Sequence, residues 1–350
     1  MLQNIRIDKV QALDTPLQIK SELPSSLDID KYVSLVRSQI EKVLDGEDSK
    51  VITIIGPCSI HDPVAAIEYA KFIKTKSDEF SDSQIIVMRT YFCKPRTTTG
   101  WKGLVYDPDL NGSYDIARGL RLARKTLLEI NKLGVVCSME HLDTISPQYF
   151  DDLLVWGAIG ARTTESQVHR ELASGISTPI GFKNGTGGSL DLAVNAVEAS
   201  IKPHHFMGCD PQGRISSITT KGNPYCHVIL RGGSSGPNYE NKYVNQLRDK
   251  LRSRGLTENI IIDFSHGNSG KNYKNQIKVA EDVCGQISMG TVSIKGVMIE
   301  SNLVEGKQNL SSSELCFGKS ITDCCIGLDE SYNILQMIDK ASRARMRDCK

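Results

Sequence analysis

Cys58, Arg89, Glu140, Arg162, Lys183, Arg231, His266 and Glu300 share one placement: each closes, or stands just past, a short apolar run. They fall into two chemical sets. Arg89, Arg162, Lys183 and Arg231, joined by Lys94 and Arg96 from one long intervening loop, are six cations in a chain of formal net charge +1. Clustering them costs repulsion and desolvation unless anions offset it, so a substrate carrying several negative charges is expected. Arginine's planar fork suits phosphate and carboxylate. Cys58, His266 and Glu300, with Asp323 from Lys319-Ser-Ile-Thr-Asp-Cys-Cys325, supply a thiolate, an imidazole and two carboxylates. That donor set suits one divalent ion such as Mn, Fe, Co or Zn, and suits Mg or Ca poorly. Any one of these residues alone reads equally well as a surface ion pair, a buried thiol or a cap. Their recurrence at run ends carries the argument.

Such residues converge only if the runs are strands with a common direction. Val51-Ile-Thr-Ile-Ile55, stopped by Gly56-Pro57, reads as a strand buried on both faces. Seven more runs follow at 84–88, 134–138, 158–161, 178–182, 226–230, 260–264 and 295–299. Amphipathic stretches at 63–79, 114–132, 147–155, 166–174, 189–201, 240–254, 273–288 and 329–345 separate and follow them. Asp62-Pro63 and Ser146-Pro147 are helix-start signals. Eight strand–helix pairs predict an α/β chain folded as a (β/α)8 TIM barrel, whose C-terminal mouth gathers all eight strand-end residues. The barrel is expected over 49–350, behind an N-terminal arm and helix over 1–48. That extension is expected to cover the closed end of the barrel or to make a subunit or regulatory contact. The 90–113 loop is long enough to be functional. A β-hairpin is expected at 203–221, before strand 6, around Asp210-Pro-Gln-Gly213. The glycines of Arg231-Gly-Gly233 read as room for a ligand to approach the backbone.

Apolar residues at 39% and charged residues at 24% describe an ordinary globule. The near-neutral charge predicts no general affinity for nucleic acid or anionic membrane, and no apolar run is long enough to span a bilayer. Ten scattered cysteines with no C-x-x-C pair, behind an opening without an apolar leader segment, predict free thiols and a cytoplasmic location.

Seven ordered motifs then carry a resemblance. They are Gly56-Pro-Cys-Ser-Ile-His-Asp62, Lys94-Pro-Arg-Thr97 with Gly100-Trp-Lys-Gly103, Gly160-Ala-Arg-Thr-Thr-Glu-Ser166, Gly181-Phe-Lys-Asn-Gly185, Ile229-Leu-Arg-Gly-Gly233, Asp263-Phe-Ser-His266 and Gly318-Lys-Ser-Ile-Thr-Asp323. Over nearly the whole chain this resembles 3-deoxy-D-arabino-heptulosonate 7-phosphate (DAHP) synthase, in its bacterial type I class regulated by aromatic amino acids. The resemblance implies the first step of the shikimate pathway, in which phosphoenolpyruvate, D-erythrose 4-phosphate and water give DAHP and phosphate. It implies a divalent metal on Cys58, His266, Glu300 and Asp323. Phosphoenolpyruvate is then held by Arg89, Lys94, Arg162, Lys183 and Arg231, and erythrose 4-phosphate by Arg96 and Thr97. Lys94, Glu140, His266 and Asp323 become the catalytic candidates, with Lys94 protonating the new alkoxide and Glu140 orienting water. A homodimer or homotetramer is also implied.

Some positions depart from the family pattern. Cys93 precedes Lys94 where relatives commonly carry glutamate. His141 and Thr144 stand where bulkier apolar residues are common, in a feedback pocket that would also include Pro147, Gln148, Ser177 and Phe206. Phenylalanine, tyrosine, tryptophan or no effector all stay open. Three rival readings remain: a 3-deoxy-octulosonate 8-phosphate synthase using arabinose 5-phosphate, a class I aldolase with Lys183 as Schiff-base nucleophile, and a non-catalytic barrel.

Overall fold

The computed structural model describes residues 2–310 and 314–348. An extended arm leads into α1 (Pro16–Glu22), whose N-terminus is tied by a Thr15–Gln18 capping box, and α2 (Leu27–Asp45), which stops at Gly46 in the left-handed region. Ile29, Val33, Val36, Ile40 and Val43 recur at helical spacing on α2 and are buried. Burying each contributes roughly 1.5–3 kcal/mol.

The first barrel units are β1 (Val51–Gly56), α3 (Pro63–Glu79), β2 (Gln84–Arg89), α4 (Ile116–Lys132), β3 (Cys137–Glu140), α5 (Pro147–Phe150) and β4 (Leu154–Ile159). Then come α6 (Gln167–Ala173), β5 (Ile180–Lys183) and α7 (Leu190–Ser200), followed by the inserted hairpin β6 (His205–Cys209) and β7 (Ile215–Thr219). The chain returns to the barrel with β8 (Cys226–Leu230), α8 (Asn241–Ser253), β9 (Ile260–Asp263), α9 (Gln276–Ser288) and β10 (Ile294–Glu300). Two short strands, β11 (Val304–Lys307) and β12 (Lys319–Ser320), precede the last helix, α10 (Leu328–Asp348).

Eight parallel strands close in the order β1-β10-β9-β8-β5-β4-β3-β2. Nearly every barrel-strand residue is buried, as near-continuous apolar runs require when helices cover the outside. The (β/α)8 architecture and the antiparallel hairpin before the sixth barrel strand match the sequence expectation. Arg37 Nε on α2 donates to the Leu154 carbonyl at the start of β4, 2.7 Å away.

Two strand starts differ from the periodicity by three residues or more. The fourth barrel strand begins at Leu154, not Ala158, because α5 stops after four residues and a 3-10 turn over Asp151–Leu153 feeds directly into β4. The third begins at Cys137 rather than Gly134, since Gly134 at φ +75 belongs to the turn that ends α4. The small β11–β12 sheet, absent from the sequence reading, shapes the loop that delivers Asp323.

Candidate active site

The strand ends meet at one mouth, around a cavity of about 460 Å³. All eight run-end residues line it, together with Lys94, Arg96, Thr97 and Asp323. Gly56-Pro57 ends β1 and delivers Cys58. A Cβ at Gly56, φ +152, would lie 3.0 Å from the Arg89 carbonyl, so only glycine lets β1 and β2 close together here.

Cations crowd the cavity. Arg89, 1% exposed, donates from Nη2 to Glu300 Oε1 at 3.2 Å and from Nε to the Pro57 carbonyl at 3.3 Å. Lys183 Nζ lies 3.5 Å from Glu140 Oε2 and 3.6 Å from Asp263 Oδ2. Arg162 Nε donates to Thr97 Oγ1 at 3.0 Å, which joins the long loop to the fourth strand end. Burial pushes the Arg231 guanidinium below its usual range, and the like charge of Arg162 adds to that against the pull of Asp263. Arg162 and Arg231, which make no ion pair with a described carboxylate, leave positive charge at the cavity, where phosphate or carboxylate would neutralise it.

Soft and acidic donors stand among these cations. Cys58 Sγ, a Glu300 oxygen and an Asp323 oxygen lie within 4.8 Å of one another. His266 Nε2 reaches Glu300 Oε1 at 3.7 Å but does not join that triad at the same spacing. The Lys94 ammonium already acts as a cation among these donors, donating to Cys58 Sγ and to Asp323 Oδ2 at 2.8 Å each. Burial, then Glu300, push the Cys58 thiol up to about 12. Although burial opposes it, Lys94 holds the Asp323 carboxyl well below the usual range. One sulfur, two carboxylates and an adjacent imidazole fit a borderline divalent ion, and a bound cation would replace the Cys58 proton.

Glu140 also lies among the cations. Burial alone would push its carboxyl up, but Lys183, then Lys94, Arg89 and His266 outweigh it and hold it below the usual range. It is therefore a carboxylate at neutral pH, able to accept a proton.

The geometry is now complete enough for comparison. The sequence profile described as DAHP synthetase I family matches residues 18–336. The chain is 49% identical to the Phe-sensitive phospho-2-dehydro-3-deoxyheptonate aldolase of Escherichia coli K12, over 98% of each chain. The chain belongs to the DAHP synthetase I family. It is also 48% identical to the Tyr-sensitive enzyme of Salmonella typhimurium LT2, covering 97% of this chain and 96% of that one. A solved phospho-2-dehydro-3-deoxyheptonate aldolase from Francisella tularensis SCHU S4 superposes with a TM-score of 0.95 at 46% identity, over 97% of this chain and 99% of its own.

In this DAHP synthetase I family member a second cavity, of about 700 Å³, lies between the N-terminal extension and the β6–β7 hairpin. Thr144, Pro147, Gln148, Ser177 and Phe206 line it, with Lys20, Arg37 and Asp151. His141 is not among the lining residues. Its ring is buried against Gly157, where an added Cβ would sit 2.6 Å from Nε2.

Two mouth residues escaped the sequence reading. Asp263, fully buried, pairs with His266 and Lys183. Its signal was a carboxylate ending the Ile-Ile-Ile-Asp run. Tyr91 lines the mouth with its ring 4.0 Å from the Arg89 guanidinium, and an aromatic in Tyr-Phe-Cys gave no hint of this. Loop packing by itself requires the Gly232-Gly233 pair. A Cβ at Gly233 would lie 2.3 Å from Gly188 N, and one at Gly232 would lie 2.5 Å from Asn268 N.

Proposed function

We propose that the chain condenses phosphoenolpyruvate with D-erythrose 4-phosphate and water to give DAHP and phosphate, opening the shikimate pathway, and that the mouth residues divide the work as follows. The observation that carries this is one cavity that crowds cations together with sulfur and carboxylate donors. Arg89, Lys94, Arg162, Lys183 and Arg231 hold phosphoenolpyruvate. Arg96 and Thr97 hold the erythrose phosphate, with the Arg162–Thr97 hydrogen bond setting the two sites against each other. Orientation of this kind supplies roughly 7–11 kcal/mol. Cys58, His266, Glu300 and Asp323 would hold one divalent ion of the Mn, Fe, Co or Zn type. Bound there, such an ion supplies Lewis acidity for the aldehyde carbonyl. Lys94, beside both Cys58 and Asp323, gives its proton to the alkoxide as the carbon–carbon bond forms. Glu140 takes the proton of the water that adds at C2.

The second cavity is read as the feedback pocket for an aromatic amino acid, with Thr144, Pro147, Gln148, Ser177 and Phe206 in contact and His141 packed behind. Residues 1–48 would serve regulation and assembly, because Lys20 and Arg37 reach that cavity and the arm leaves Ile5, Ile7 and Val10 exposed for a homodimer or homotetramer contact. Cytoplasmic action fits these substrates. Among the described residues no helix is long and apolar enough to cross a membrane.

One assay tests the reading: DAHP and phosphate formation with erythrose 4-phosphate against arabinose 5-phosphate, with phenylalanine, tyrosine and tryptophan titrated in turn. Preference for erythrose 4-phosphate and inhibition by one amino acid are expected. Preference for the pentose phosphate would contradict the assignment of Arg96 and Thr97.

A further inference from the structure

Two buried polar atoms at the mouth, Tyr91 Oη and Glu140 Oε1, make no hydrogen bond to any described residue. Leaving such a group unmatched costs free energy, so each is built for a partner that arrives with the reaction. Both residues line the same cavity. The β2–β3 register pairs Arg89 with Ser138, and Thr90 N–H still donates to the Ser138 carbonyl at 2.8 Å. Beyond these pairs Tyr91 and Glu140 both reach the cavity, and the Glu140 charge acts on the Tyr91 hydroxyl.

Each orphan atom is held where it is. The Tyr91 ring is stacked under the Arg89 guanidinium at 4.0 Å. The other Glu140 oxygen, Oε2, is occupied by Lys183 at 3.5 Å, which leaves Oε1 free. Gly160 makes room for that oxygen, since a Cβ there would sit 2.4 Å from it.

We infer that Tyr91 shares with Glu140 the water that adds to C2 of phosphoenolpyruvate, and that Tyr91 is thereby a further catalytic residue. This rests on the reaction proposed above. The phenol O–H donates to the water oxygen, the water donates one hydrogen to Glu140 Oε1, and the remaining lone pair faces C2. As the water oxygen bonds to C2, its O–H bond breaks and Glu140 Oε1 takes the proton. The C2–O bond to phosphate then breaks and phosphate leaves with the electron pair, the C2 hydroxyl loses its hydrogen to solvent as the ketone forms, the proton on Glu140 passes to phosphate, and solvent returns to Lys94 the proton it gave the alkoxide. Burial raises the Tyr91 hydroxyl pKa, so it keeps its hydrogen throughout and acts as a donor only.

The test is Tyr91→Phe, which keeps the ring under Arg89, alone and combined with Glu140→Gln. Loss of one hydrogen bond to the water predicts a kcat lower by about ten-fold, with KM for phosphoenolpyruvate within about two-fold. The double variant should turn over no more slowly than Glu140→Gln alone, because both changes remove the same water. Three results would overturn the assignment: a Tyr91→Phe kcat within two-fold of wild type, a loss confined to KM, or multiplying losses in the double variant. Wild-type protein in the same assay separates the two failures. No DAHP from wild type removes the reaction and this role together, whereas normal wild-type turnover beside an unaltered variant removes Tyr91 alone.

Discussion

His266 Nδ1 lies 2.9 Å from Asp263 Oδ2, while Nε2 of the same ring faces Glu300 Oε1 at 3.7 Å. One nitrogen is held by a fully buried carboxylate, so the other is presented to the donor cluster. The backbone pays for this: His266 sits at φ +56, a region that a side chain with a Cβ rarely adopts, and Ser265 hydroxyl bonds to Asp263 and His266 at 2.6 Å each brace the turn. Partners behind a metal-ligating histidine commonly matter about 10–100-fold in metal affinity. Asp263→Asn should weaken Mn or Zn binding by that factor in a direct titration, with the far-ultraviolet spectrum unchanged. Unaltered affinity would remove His266 from the ligand set.

Metal binding should release a proton. In the protein without metal the Cys58 thiol is pushed up to about 12 by burial and by Glu300, so it is protonated at pH 7. Ligation requires the thiolate, so affinity should climb by up to ten-fold per pH unit between pH 6 and 8. Calorimetry in buffers of different ionisation enthalpy checks this. The same burial should make the metal-free thiol slow to react with peroxide. Zero proton release would contradict ligation through Cys58.

Arg162 is exposed on the mouth, with Thr97 as its hydrogen-bond partner. Arg162→Ala should cut kcat/KM for phosphoenolpyruvate by about 100-fold or more, given the strength of charge-assisted hydrogen bonds, and leave Tm unchanged. Steady-state kinetics beside thermal melts decides it. Unchanged kinetics would place the residue outside the site.

His227 sets an acid limit on stability. Its Nδ1–H donates to the Tyr225 carbonyl at 2.9 Å and its Nε2 accepts from Trp156 Nε1 at 3.2 Å, a pattern only the neutral ring satisfies. Burial pushes its pKa down to about 4. The unfolded chain binds this proton below about 6.5, so the neutral ring's contribution is complete above that pH and is lost as pH falls towards 4. Over the whole window the loss is on the order of 3 kcal/mol. Urea midpoints of wild type and His227→Gln should therefore converge as pH drops from 7 to 4. Parallel curves would contradict it.

Much of the barrel was legible because two-sided burial writes strands as apolar runs, and the residue closing each run points into the mouth. Where the sequence misled, local signals competed. Ser146-Pro147 announces a helix, and Leu154-Val-Trp-Gly-Ala-Ile159 carries no period that separates a buried strand from a buried helix, so the helix was extended into the strand. Asp263 and Tyr91 were missed for another reason. Asp263 closes an apolar run as other site residues do, but its role, like that of Tyr91, comes from partners brought together by barrel closure.

The most direct measurement is DAHP formation from phosphoenolpyruvate and erythrose 4-phosphate before chelation, after exhaustive chelation, and after one equivalent of Mn or Zn is restored. Turnover that disappears and then returns is the predicted result. Full turnover in the chelated protein would contradict a divalent ion at Cys58, His266, Glu300 and Asp323.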